Sequence, residues 1–161
     1  MASIPLTKGQ CAIVDDADFD RLNQWKWHAA WSKGTKSFYA VRSDGEQTVW
    51  MHREIVGLKP KQGFDVDHIN HDTLDNRRSN LRRATHAQNC WNQRRPKNNS
   101  TGYKGVVYRR ARRHFVARIR VRGKLIYLGS APTAKAAHEI YVAGSSQHFG
   151  EFAGGNDAIR A

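Results

Sequence analysis

Four side chains near the middle of the chain have the types and spacing that phosphodiester hydrolysis needs. Asp67 and His68 are adjacent, Asn80 stands in Ser79-Asn80-Leu81-Arg82, and Asn89 lies in the segment that follows. An acid, an imidazole and two carboxamides suit one job: holding one hard cation and one activated water against a phosphate. Asp67 can offer a carboxylate oxygen and Asn89 a carbonyl oxygen. Magnesium accepts such oxygens and fills its remaining positions with water and phosphate. A neutral imidazole with the ordinary pKa of about 6.5 can take a proton from water near neutral pH, and His68 is placed to do so. Asn80 can bond the backbone of the intervening loop and so hold His68 in place.

The elements around these residues must position them. Val66 to Ile69 is short and β-branched, which predicts a strand, and Asn70 to Ser79 is polar and reads as a loop. Leu81 to Ala84 can form a second strand. Thr85-His86-Ala87-Gln88 fits a capping box, so a helix is expected from about His86 to Gln93, with Pro96 just beyond it. Neighbouring strand residues point to opposite faces. A strand end at this point would let Asp67 turn toward the helix while His68 faces the substrate.

Asp67-His68, Asn80 and Asn89, with the Asp75-Asn76-Arg77 and Asn80-Leu81-Arg82 steps between them, resemble the HNH endonuclease motif. The likeness is to the H-N-N variant of phage homing endonucleases, with Asn89 where the standard motif ends in His. It implies a ββα-metal finger in which His68 is the general base, Asp67 and Asn89 are metal ligands, and Asn80 is the structural asparagine. The implied cofactor is one divalent ion, magnesium, with manganese able to substitute. His71 and His86 read as surface histidines rather than zinc ligands, since no cysteine pair accompanies them. Cys90 reads as a packing residue.

Composition points to the same partner. The 161 residues carry a formal net charge of +13, and their distribution is uneven. No Asp or Glu occurs between Asn76 and His138, while 17 of the 27 Lys and Arg lie there. Such a stretch calls for a polyanion, nucleic acid before membrane. Cys11 and Cys90 are in no metal-type spacing, which suits a reducing, intracellular setting; the resemblance to phage enzymes implies the phage or bacterial host cytoplasm. No apolar run is long enough to span a bilayer, and the first residues lack a signal-peptide pattern.

Residues 1–60 predict a small β-rich module. Strands are expected around Ile4, over Cys11 to Val14, Trp25 to His28, Phe38 to Val41 and Val49 to His52. Short helices are expected after an Asp15-Asp16 cap, through Leu22 and Asn23, and from Arg53 to Gly57. Trp25, Trp27, Trp31 and Trp50 read as its core, with base stacking as the alternative. His52 reads as structural, with a phosphate contact from His52 and Arg53 as the alternative. Residues 94–101 are basic and polar and read as a linker.

Residues 102–156 predict three strands and a helix: Tyr103 to Arg110, Phe115 to Arg122, Leu125 to Leu128, then a helix from the Thr133 cap to about His148. Phe115, Ala117, Ile119 and Val121 would face the helix and leave Arg118, Arg120 and Arg122 on the open face. A sheet of this kind can enter a major groove, where arginine reads guanine edges, or can bind phosphates alone. Tyr103-Lys104-Gly105-Val106, Phe115-Val116-Ala117-Arg118-Ile119-Arg120, Tyr127-Leu128-Gly129 and the Ala136-Ala137…Tyr141 helix resemble the plant ethylene-response-factor (Apetala-two type) DNA-binding domain. That resemblance implies DNA contacts from Arg109, Arg118, Arg120 and Tyr127. Arg110, Arg112, Arg113 and Arg122 are the flanking basic candidates.

The expected fold is α+β: an N-terminal β-rich scaffold (1–60), a ββα-metal finger (61–93), a basic linker (94–101) and a three-stranded antiparallel sheet packed on one helix (102–156). The expected activity is metal-dependent hydrolysis of double-stranded DNA at specific sites, of homing type. One finger per chain suits a monomer that nicks one strand, with a dimer as the route to a double-strand break. A non-catalytic, sequence-specific DNA-binding protein with a degenerate finger is the alternative, and an RNA-binding protein the third reading.

Overall fold

The structure, a computed structural model, describes residues 1–60, 62–96 and 98–154. Lys61 of the expected finger, Lys97 of the expected linker and residues 155–156 at the expected end of the last module lie outside the described residues. The fold is α+β, with small antiparallel sheets, and it forms two compact units: Met1–His86 and the chain from Ala87 onward.

In the first unit, β1 (Ala2–Pro5) pairs with β2 (Cys11–Val14) and leads into α1 (Asp16–Asn23). Alternation on β2 buries Ala12 and Val14, and the i, i+4 pair Asp18 and Leu22 turns inward from α1. A meander of β3 (His28–Ser32), β4 (Ser37–Asp44) and β5 (Gln47–Trp50) runs directly into α2 (Met51–Val56). Gly57, in the left-handed conformation, closes α2 by donating to the carbonyls of Arg53 and Glu54. β6 (Asp65–His68) then pairs with β7 (Leu81–Ala84), with a 3-10 turn at Arg78–Asn80 before β7. The core gathers Ile4, Val14, Leu22, Trp27, Met51 and Ile55.

Two expectations for this unit change. The strand expected from Trp25 begins only at His28. Trp27 instead turns into the core, its Nε1 donating to the Leu22 carbonyl at 2.8 Å. Trp25 and Trp31 are about half exposed, so they are not core residues. Trp25 lies against the Arg42 guanidinium, 4.4 Å from its ring centroid, and Trp31 packs edge-on against Phe38. The strand expected to reach His52 stops at Trp50. Met51 and His52 open α2, and both are buried.

The second unit begins within α3 (His86–Asn92), and its sheet has β9 (His114–Val121) between β8 (Val106–Arg109) and β10 (Lys124–Ala131). The strand expected from Tyr103 starts at Val106, because Gly105 has φ +73° and lies flat on the Tyr141 ring. α4 (Ala134–Phe149) starts where Thr133 Oγ1 accepts the Ala136 N–H at 3.2 Å and closes at Gly150. Ala117, Ile119 and Tyr141 are buried between sheet and helix. Gly144 lets Leu128 approach so closely that an added Cβ would lie 2.7 Å from its Cδ1. Lys104 Nζ donates to the carbonyls of Trp91 and Gln93, placing a cation at the C-terminal end of α3. Trp91 stacks on Phe149.

Candidate active site

His68 is the last residue of β6, and its ring is enclosed on several sides. It is 6% exposed. The His52 ring meets it edge-to-face with centroids 5.2 Å apart, and Tyr39 meets it at 6.2 Å. Trp50 packs in turn on Tyr39 and His52. These rings arrive from β4, β5 and α2. The direct run from β5 into α2 is what brings Trp50 and His52 to one place. Nε2 of His68 lies 3.4 Å from Asn76 Oδ1.

Burial pushes the His68 imidazole below its ordinary pKa, partly opposed by the Asn76 bond and the carboxylates of Asp67, Asp72 and Asp75. Burial, with smaller contributions from His68 and Arg53, pushes His52 down to about 3. Both rings are therefore neutral at pH 7, the state in which an imidazole can accept a proton.

Asp67 points to the other face of β6. Its register partner is Arg82, which donates from Nε and Nη2 to Asp67 Oδ2 at 2.8 and 2.7 Å. Both side chains are buried, and the guanidinium lies against the carboxylate as an ion pair.

Asn80 bonds the backbone of the loop. Its Oδ1 accepts the Asn70 N–H at 2.9 Å and its Nδ2 donates to the Asp75 carbonyl at 2.7 Å. The backbone N–H of Ile69 donates to the Asn80 carbonyl as well. Asp75 adds a second clamp: its buried carboxylate accepts from Arg77 at 2.7 and 2.6 Å and from Asn70 Nδ2 at 2.8 Å. Asp67, His68 and Asn80 thus share the β6–β7 hairpin of the first unit. Asn89 lies on α3, within the second unit.

The packing of His52 on His68 is not legible in the sequence, and neither are the parts taken by Arg82, Tyr39 and Asn76. Arg82 could be found only from the strand register, since nothing local pairs it with Asp67. Asn76 carried a signal, because it is the middle residue of the Asp75-Asn76-Arg77 step. His71 is half-buried with φ +62°, and the exposed His86 lies 3.2 Å from an Asp65 oxygen. Cys90 is half-buried and makes no disulfide.

Comparison with known proteins bears on this arrangement. A family model described as HNH endonuclease matches residues 49–90, the span that contains His52, Asp67, His68, Asn76, Asn80 and Asn89. An uncharacterized HNH endonuclease of Acanthamoeba polyphaga mimivirus is 33% identical over 153 residues, covering 92% of this chain and 76% of that protein. The chain belongs to the HNH endonuclease family. Protein 3.8 of Escherichia phage T7 is 31% identical over 121 residues, 75% of this chain and 96% of that protein. No solved structure matches significantly. Membership makes this HNH chain a nuclease by family, with nucleic acid as substrate, and HNH nucleases are generally metal-dependent.

The basic face of the HNH chain's second unit is also resolved. Register pairs Arg118 with Tyr127 and Arg120 with Leu125, on the side of the sheet away from α4. Tyr127 is 64% exposed. Arg109 pairs with His114 on the same side. Arg110 and Arg112 sit in the 3-10 turn after β8, while Arg113 and Arg122 take positive φ in the hairpin turns. Tyr108, by contrast, pairs with Phe115 on the α4 side and packs against that ring. Among the described residues, no carboxylate pairs with any of these seven arginines; Arg120 donates only to the Gly123 carbonyl. Among the same residues, no helix is long and apolar enough to cross a membrane.

Proposed function

We propose that the chain is a divalent-metal-dependent DNA endonuclease of homing type, which nicks one strand of a duplex using His68 as the base. The observation that carries this reading is the enclosed, neutral imidazole of His68, packed by His52 and Tyr39 and next in sequence to an Asp67 paired with Arg82.

His68 takes a proton from a water molecule, the water oxygen bonds to the scissile phosphorus, and the phosphorus–O3′ bond breaks. The departing 3′ oxygen collects its proton from solvent. Asp67 and Asn89 would hold the cation, Asn89 by its place in the motif. Both are oxygen donors, which fits magnesium or manganese rather than a soft ion. The described residues contain no cluster of three His, Cys, Asp or Glu for a closed cage, and a hard ion that keeps its waters needs none. When bound, the ion supplies charge neutralisation at the phosphate and the departing oxygen. Arg82 holds the Asp67 carboxylate by donating to it, and Asn80 ties down the loop that follows His68.

The open face of β8–β10 is the proposed docking surface for duplex DNA, in the manner of the plant ethylene-response-factor domain it resembles. What supports this is a row of arginines that, among the described residues, have no carboxylate partners, beside an exposed Tyr127. Phosphates supply the missing countercharge.

The test is nicking of supercoiled plasmid by wild type and His68→Ala, in magnesium, manganese and EDTA. Wild type nicks in either metal and not in EDTA, and His68→Ala binds duplex DNA normally while cutting poorly. Equal cutting by the variant would remove His68 from the chemistry. Tight duplex binding with no nicking in any metal would leave the DNA-binding alternative.

A further inference from the structure

We infer that Asn76 is a positioning residue, whose carboxamide selects the His68 tautomer with its proton on Nε2 and so makes Nδ1 the atom that receives the proton from water. The inference rests on the reading of His68 as the base.

Asn76 is 1% exposed, the most enclosed polar side chain near His68. Its backbone is fixed first. Its N–H donates to the Ile13 carbonyl at 2.7 Å, and the Ile13 N–H donates to the Leu74 carbonyl at 2.8 Å. The loop on either side of Asp75 is thus clamped to β2, far from His68 in sequence. The side chain is fixed next, by Nδ2 donating to that same Leu74 carbonyl at 3.1 Å.

A carboxamide has one donor end and one acceptor end. With Nδ2 committed to a carbonyl, the end facing His68 is the oxygen. The flipped amide would set Oδ1 against the Leu74 carbonyl, acceptor against acceptor, in a place closed to water. Oδ1 therefore faces His68 Nε2 at 3.4 Å, and it carries no proton to give. A hydrogen bond across that gap needs the proton on Nε2. A neutral imidazole has one ring proton, so the basic lone pair is on Nδ1. The opposite tautomer would bury two lone pairs face to face. The edge-on rings of His52 and Tyr39 restrain the plane of the same imidazole. β2, which contains no residue of the motif, thereby bears on the atom that does the chemistry.

The experiment is long-range proton–nitrogen NMR of the imidazoles in the full-length chain at neutral pH, on wild type, Asn76→Ala and Asn76→Asp. It is combined with single-turnover nicking and duplex binding. Wild type should show the His68 proton on Nε2. Asn76→Asp keeps an acceptor oxygen toward His68 and should keep that tautomer, at a cost in stability because its second oxygen meets the Leu74 carbonyl. Asn76→Ala should show a mixture and nick about 10- to 100-fold more slowly, as for other groups that orient an imidazole, with its DNA affinity unchanged. A wild-type spectrum with the proton on Nδ1 overturns the inference without any variant having to fold. Wild-type tautomer and wild-type rate in Asn76→Ala would overturn it too. The spectrum is read without DNA or metal. A chain that shows the Nε2 proton yet never nicks would therefore refute the nuclease reading and leave the tautomer assignment standing.

Discussion

Replacing Gly105 by alanine tests how the arginine sheet is held on its helix. Gly105 has φ +73°, a conformation that costs a residue with a Cβ about 1–2 kcal/mol. The added Cβ would also lie 2.0 Å from Tyr141 Cδ2, 2.2 Å from Cε2 and 2.6 Å from Cγ. Carbon atoms rest roughly 3.5–4 Å apart, so the ring or the backbone must move well over 1 Å. Tyr141 is 4% exposed, and His138 stacks parallel to it. Forced overpacking of this kind costs about 1–3 kcal/mol, which brings the expected loss to about 2–5 kcal/mol. Gly102 is the internal control. Its φ is +78°, and nothing lies within 4 Å of its would-be Cβ, so Gly102→Ala should lose only the backbone part. Gly105 also accepts the Arg118 N–H through its carbonyl at 2.9 Å, so displacement there reaches β9 directly. Amide hydrogen exchange across β9 and α4 of the full-length chain reads the local loss, and duplex binding reads its consequence. Gly105→Ala should exchange faster than Gly102→Ala in both elements and bind DNA more weakly. Equal protection in the two variants would refute the claim that Tyr141 sets the fit.

Asp18→Asn should change how stability depends on pH. The hydrogen bonds of Arg78 first, and then Arg21, hold the Asp18 carboxyl below its ordinary value. A depressed folded-state pKa stabilises above the unfolded value of about 4 and is lost as pH falls through the folded value. Urea titrations should therefore show wild type losing stability below about pH 4 more steeply than the variant; parallel curves would contradict the pairing. Asn80→Ala removes two hydrogen bonds and leaves the Asn70 N–H and Asp75 carbonyl without that partner, at about 2–4 kcal/mol by urea unfolding. Its nicking rate should fall as well, and a stable variant with full activity would remove the loop clamp from the argument. Arg118→Ala and Arg120→Ala should each lower the salt slope of duplex binding by about one unit if each contacts one phosphate. An unchanged slope would place the duplex elsewhere.

The sequence was most legible where spacing and alternation are local. The short strands on either side of the Asn70–Ser79 loop, the helix after Thr85, and the β9 alternation with its Thr133-capped helix all lie close to where periodicity puts them. Legibility failed where a long-range contact overrides a local preference. Trp25 to His28 alternates like a strand, yet Trp27 finds the Leu22 carbonyl and Trp25 finds Arg42, and the strand waits until His28. Val49 to His52 reads as one strand, yet the chain turns helical at Met51 because that buries both Met51 and His52. The same limit hid part of the candidate site. Asp67, His68 and Asn80 are visible as types at fixed offsets. His52 and Tyr39 reach His68 only through the meander, and Asn76 is aimed at it by a strand near the N-terminus.

Charge divides between two tasks in this chain, and pairing is what tells them apart. In the first unit arginine meets carboxylate: Arg78 and Arg21 on Asp18, Arg42 on Glu54, Arg77 on Asp75, Arg82 on Asp67. Of these acids, Asp18, Asp67 and Asp75 are buried. Removing Asp67 would strand the buried Arg82 guanidinium, and supplemental salt screens that pair weakly. From Asn76 to His138 there is no acid to repeat the arrangement. Seven arginines on β8, β9 and their turns accordingly meet no carboxylate among the described residues, a charge excess that raises the free energy of the isolated chain and falls when a polyanion arrives. The acid-free run is thus a device for affinity, whereas the paired arginines are a device for geometry. Neutralising Arg82 should therefore disturb the orientation of Asp67 at any salt concentration, while neutralising Arg118 should matter most at low salt and fade as salt rises.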